Sequence, residues 1–139
     1  MADDRYNRWQ GLAIAQLSVA VALISGLSIA GLGVGLSLLQ DREFIQTHPC
    51  TVAFMCSLCL LLLAAFGCCG AVITRLLDFR LTARKVRKDQ DPEYPLPLSM
   101  FGSDSEAFGR ATWRLFWTGC ISFLFGSLLL IVSIALVYA

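Results

Sequence analysis

Charge is what this chain lacks over most of its length. No Asp, Glu, Lys or Arg occurs from Trp9 to Gln40, from Phe44 to Thr74, or from Leu115 to Ala139. A soluble domain needs a polar surface around its core, and 139 residues interrupted by three such stretches do not supply one. With 57% hydrophobic residues the chain is equally far from intrinsic disorder. Proline is scarce too: Pro49, Pro92, Pro95 and Pro97 all lie outside the apolar segments, which can therefore be unbroken helices. The absence of ionisable carboxylates and bases inside those segments argues against a proton-coupled transporter or pump, which needs intramembrane charge. A pore lined by Ser, Gly and Thr and gated by an apolar constriction needs none.

What is present is three runs long enough to cross a bilayer. A helix rises about 1.5 Å per residue, so a hydrocarbon core of about 30 Å takes about 20 apolar residues. The spans are expected at about 12–39, 52–73 and 115–138. A secretory signal has an apolar core of about 7–15 residues, much shorter than the first run, and the flank Met1–Arg8 contains Asp3 and Asp4, so this run is expected to be a span. That first span exceeds the bilayer thickness and must tilt, bend at Gly31–Gly35 or protrude.

Orientation follows from the basic residues, because short Lys/Arg-rich loops stay cytoplasmic. Of 11 such residues only Arg42 lies between the first two spans, and none follows the third. The N-terminus and the 74–114 loop are therefore expected in the cytoplasm and the C-terminus outside. Trp9, Trp113 and Trp117, with Tyr6, fall at the cytoplasmic interface as anchors, and Tyr138 at the opposite one.

Helices in lipid associate through small residues that let backbones approach. Ser18, Ala22, Gly26 and Ala30 recur at intervals of four, and Gly31 and Gly35 form a GxxxG pair. Gly119, Ser122, Gly126 and Ser133 form a seam on the third span, and Ala64, Cys68 and Ala71 a less regular one on the second. Such faces serve packing within the subunit first; three helices offer few partners for all of them, so the remainder point to a homo-oligomer.

The one sizeable polar segment has three parts. From Arg75 to Lys88 the chain has no Gly or Pro, and the second span is expected to continue as a helix with Leu76, Phe79, Ala83 and Val86 at heptad-like spacing. Arg75, Arg80, Arg84, Lys85, Arg87 and Lys88 suit anionic lipid head groups beside the membrane, or a protein partner; nucleic acid is the weaker reading. Residues 89–102, with three prolines, should be an extended link. Ser103 and Glu106 match a capping box that opens a helix at 103–114 leading into the third span.

Six cysteines do not form a recognisable site. Cys56 and Cys59 make a CxxC inside an apolar helix without a second such pair, which is poor zinc chemistry. Cys68, Cys69 and Cys120 sit at similar depth and serve most simply as small packing residues, and Cys50 alone lies at the outer end. His48, the sole histidine, neighbours Pro49 at a helix start, with Asp41 and Glu43 in the same loop. No nucleophile–base pair, phosphate loop or metal motif is recognisable, so no catalytic residue, cofactor or metal is expected and the chain is not read as an enzyme.

The strings RYNRWQ, SLLQDREF, RLLDFRLTARK and GRATWRLFW together resemble small, functionally uncharacterised bacterial inner-membrane proteins with three spans. The resemblance implies an inner-membrane location. More distantly, membrane helices followed by a cytoplasmic helix are similar to SLATT-type modules, which implies an oligomeric, pore-forming role; the third span departs from that pattern. The expectation from the sequence is an all-α polytopic membrane protein, a single membrane domain over 1–139. Its expected role is that of a small oligomeric channel or pore former, the alternative being an accessory or scaffold subunit recruiting a partner through the basic loop.

Overall fold

The computed structural model describes residues 2–40, 51–90 and 105–138, with side chains at Gly11, 14–40, 51–84, 86–87 and 107–136. These residues form three long helices: α1, Ala2–Gln40; α2, Thr51–Gln90; and α3, Ser105–Tyr138. Within them Ile14–Gln40, Thr51–Arg84 and Ala107–Leu136 are long and apolar enough to cross a membrane. Helix α1 runs through Gly31–Gly35 without a break, and α2 passes from its apolar run into the basic segment and on to Gln90, slightly beyond the expected start of the link. The Pro-rich stretch from 91, the Ser103 end of the capping box, His48 and Cys50 lie outside the described residues.

The glycines show how the helices run. A Cβ on Gly31 would meet the Leu61 side chain at 3.1 Å, and Gly35 faces Leu58, so α1 and α2 are antiparallel. A Cβ on Gly119 would lie 3.3 Å from Cys68 Sγ, and one on Gly126 would lie 3.1 Å from Leu61 N, which makes α2 and α3 antiparallel as well. Helix α2 is central. Its pairing with α3 is the most extensive, its pairing with α1 is smaller, and α1 touches α3 least.

The two ends of this bundle are packed differently. Toward the 40/51 end, Phe54, Leu58, Leu61 and Leu130 form a buried cluster, flanked by Leu32, Leu38, Leu39, Phe123 and Ile134. Toward the basic end the α2–α3 contact narrows to small residues: Ala64, Gly67, Cys68, Ala71, Gly119 and Ser122 are buried. A Cβ on Gly67 would meet Leu115 O at 3.2 Å and Gly119 Cα at 3.3 Å, so here backbone lies on backbone and a side chain at 67 would push the helices apart.

Besides this core, small polar residues are buried and many large apolar ones are exposed. Ser28, Ser57, Thr112, Ser122 and Ser133 are inside, while Phe66 and Leu124 are 67% and 64% exposed. The buried hydroxyls of Ser28 and Ser57 donate to the carbonyl oxygens of Ile24 (2.7 Å) and Phe54 (2.6 Å) of their own helices, which removes the cost of an unpaired donor. So many large apolar side chains on the outside are unfavourable in water and suit lipid.

Candidate functional site

At the basic end, all three helices contribute to one place. Thr74 on α2 and Thr112 on α3 bring their hydroxyls to 2.9 Å across the helix interface. One turn of α2 further on lie Arg75, Asp78 and Phe79. The Arg75 guanidinium carbon stands 5.6 Å from the centre of the Phe79 ring, a cation–π contact. Asp78 is half-buried, and its carboxylate is partly desolvated, with Arg75 the charged neighbour that offsets this. Neither Arg75 nor Asp78 makes an ion pair within 4.0 Å with a described residue, so the two charges stand near each other without joining.

Helix α1 does not close over this region. Between it and α2 lies a cleft of about 220 Å³ walled by Ile14, Leu17, Val21, Ala71, Val72 and Leu76, open at its side. It adjoins a second hollow of about 320 Å³ where Arg75, Asp78, Gly109, Thr112 and Trp113 come together. The cleft is almost wholly apolar and the hollow is mixed. Both share Ile14, Leu17 and Phe79 as walls.

The small residues singled out in the sequence divide into two groups. Gly31, Gly35, Gly119, Ser122 and Gly126 are at contacts between helices of the same chain or buried beside them. Ser18, Ala22, Gly26 and Ala30 are exposed, and a Cβ on Gly26 would meet nothing within 4 Å. Of the basic set, Arg80 and Arg87 are exposed and Arg84 is half-buried; the Lys85 and Lys88 side chains lie outside the described residues, as does that of Trp9. Trp113 and Trp117 are exposed and sandwich Phe116, at centroid distances of 6.0 and 5.8 Å.

Leu76, Phe79, Ala83 and Val86 all point outward, and the inward residue beyond Thr74 is Leu81, 1% exposed. The inward line of α2 runs through Cys68, Ala71, Thr74 and Leu81, and continuing that line past the apolar run would have located it. The Thr74–Thr112 bond and the unjoined Arg75–Asp78 pair depend on the angle between helices, which no residue pattern within one helix reveals.

Cys68 is buried, Cys120 half-buried, and Cys56, Cys59 and Cys69 exposed, all as free thiols. Among the described residues no three His, Cys, Asp or Glu side chains cluster as a metal site would require. No family model, curated protein or solved structure matches the chain.

Proposed function

We propose that this protein is an integral membrane protein of the bacterial inner membrane, N-terminus cytoplasmic and C-terminus outside, that acts as a homo-oligomer and lines a pore between its subunits. The observation that carries the self-association is the division within α1. Its GxxxG pair is filled by Leu58 and Leu61 of the same chain, while the Ser18–Ala22–Gly26–Ala30 face is exposed and unoccupied. In lipid, a small-residue face of this kind lets a second helix approach closely. Along α1, Ser18, Ser25 and Ser37 donate to the carbonyls of Ala15, Ala22 and Val34, which leaves hydroxyl lone pairs for water in an assembled pore. The basic end on one side supports the orientation.

Light scattering of the detergent-solubilised protein tests the assembly, and ion flux into proteoliposomes tests the pore. A monomer at all concentrations overturns the first; an oligomer without flux overturns the second alone.

A second reading has its own support. Arg80, Arg84 and Arg87 on the extension of α2 form no ion pair with a described residue, which leaves their charge for an acidic partner and favours an accessory or scaffold subunit. Loss of a captured partner on Arg80→Gln/Arg84→Gln/Arg87→Gln, with the oligomer intact, selects this reading.

A further inference from the structure

The cleft and hollow at the basic end are continuous in their walls and different in their chemistry. One part is walled mainly by apolar side chains of α1 and α2, with Ser18, Arg75 and Thr112 also on its lining. The other is lined by the cation Arg75 and the anion Asp78, together with Thr112 and Trp113. We propose that this is a binding site for a single phospholipid with an ethanolamine head group, its acyl chain in the cleft, its phosphate on Arg75 and its ammonium on Asp78. The proposal rests on the reading of the chain as a membrane protein.

Charge selects the head group. Arg75 and Asp78 line the same hollow three residues apart on α2 and form no ion pair with each other, so a ligand that satisfies both must carry an anion and a cation close together. An arginine fork is suited to a phosphate, and a carboxylate to a donor with N–H groups. Lipids with only an anionic head gain at Arg75 and are repelled at Asp78, whose partial burial makes that repulsion less screened than on an open surface.

Choline is the other zwitterionic head, and it is disfavoured for a geometric reason. A quaternary ammonium has no N–H to give Asp78 and depends on open aromatic faces. Arg75 already lies over the Phe79 ring, which leaves Trp113 as the aromatic ring remaining among those lining the hollow. On the α3 side Gly109 approaches Asp78, a Cβ there lying 3.9 Å from Asp78 Oδ2, so the backbone of α3 borders the carboxylate.

The apolar part argues for an acyl chain over a free phosphoethanolamine. Ile14, Leu17 and Val21 descend from the hollow along α1, and Val72 and Ala71 along α2, toward the middle of the apolar windows. A chain entering from the side of the bundle would run between them as it does between neighbouring lipids.

The test uses the full chain purified in detergent, exposed to an equimolar mixture of phosphatylethanolamine, phosphatidylglycerol and phosphatidylcholine of the same acyl composition, and read by native mass spectrometry. The expected result is one phosphatidylethanolamine per chain, retained at least fivefold over either other lipid. Asp78→Asn should bring phosphatidylethanolamine and phosphatidylcholine within twofold and raise phosphatidylglycerol; Arg75→Gln should lower all three. Val72→Trp, which fills the open cleft while leaving both charged residues in the chain, should lower retention of every lipid, and circular dichroism checks that each variant keeps its helix content. Equal retention of the three lipids by the unaltered chain, a preference for phosphatidylglycerol or phosphatidylcholine, or an unchanged order in Asp78→Asn overturns the site. Flotation with vesicles after alkaline extraction tests the membrane reading separately: a chain that floats without lipid preference refutes the site alone, and one that does not float refutes both.

Discussion

Thr74 Oγ1 and Thr112 Oγ1 lie 2.9 Å apart, and each also lies within hydrogen-bonding distance of a carbonyl of its own helix: Thr74 of Gly70 (2.9 Å) and Ala71 (3.1 Å), Thr112 of Phe108 (2.9 Å). Two hydroxyls have two protons. If Thr112 donates to Thr74, Thr74 is free to donate to its own carbonyls, and the Phe108 oxygen goes without that proton; the reverse holds if Thr74 donates. The pair is thus a crosslink between α2 and α3 with two alternative proton arrangements that leave different carbonyls unpaired, placed one residue before Arg75.

Interhelical hydrogen bonds in membrane proteins contribute about 0.6 kcal/mol on average and at most about 1.7. Thr74→Val and Thr112→Val are each expected to destabilise the bundle by about 0.5–1 kcal/mol, and the double variant by less than the sum. Denaturant titration in detergent micelles, read as a double-mutant cycle, measures the coupling; strict additivity would show that the hydroxyls act separately.

At Gly126 a methyl group would press on Leu60 Cβ, Leu61 N and Leu61 Cγ at 3.1–3.2 Å, and at Gly67 on the backbone of Leu115 and Gly119. Gly126→Ala and Gly67→Ala should each cost about 1–3 kcal/mol, the usual range for overpacking. Gly33→Ala, with nothing within 4 Å, should be neutral or slightly stabilising through its helix propensity. Thermal unfolding by circular dichroism in one detergent separates the two classes, and equal effects at Gly33 and Gly126 would contradict the packing described above.

Gly26→Leu places a large side chain on the outward face of α1 where the chain itself has open space. Helix content and melting of the monomer should be unchanged, while the oligomer dissociates in light scattering. An intact oligomer would move the subunit contact away from this face.

The cysteines report on the surroundings of α2. Cys56 and Cys59 are exposed to whatever surrounds the bundle, and Cys68 is not. In vesicles a membrane-impermeant maleimide should leave Cys56 and Cys59 unmodified; in detergent with a small lipid-soluble maleimide both should react, and Cys68 only after denaturation. Peptide mapping by mass spectrometry assigns each site. Rapid labelling of Cys59 by the impermeant reagent in intact vesicles would show that water reaches the third turn of α2, inside its apolar run, which is incompatible with a lipid-facing helix.

Much of the fold was legible because it depends on distances along one helix. The three helices follow from the uncharged runs, and the burial of Ala64, Cys68 and Ala71 follows from their common side. What the residues alone did not reveal was which small face goes to which neighbour. Gly31–Gly35 and Ser18–Ala30 are equally good packing faces as strings; only the approach of Leu58 and Leu61 decides that the first is used within the chain. The heptad-like spacing from Leu76 to Val86 left its neighbour open for a related reason: near a bilayer an apolar line can face lipid as readily as a partner helix, so periodicity alone does not say which way it points.

The central position of α2 also bears on the order of synthesis. Helix α1 is made first, yet the leucines that fill its glycine notch, Leu58 and Leu61, belong to α2, and the larger partner surface of α2 belongs to α3. Until α3 has been made, the groove at Ala64, Gly67 and Cys68 has no occupant from its own chain. The nascent protein therefore passes through a stage in which its tightest seam is open, and the arrival of α3, sealed by glycine against glycine, is what commits it to a single bundle.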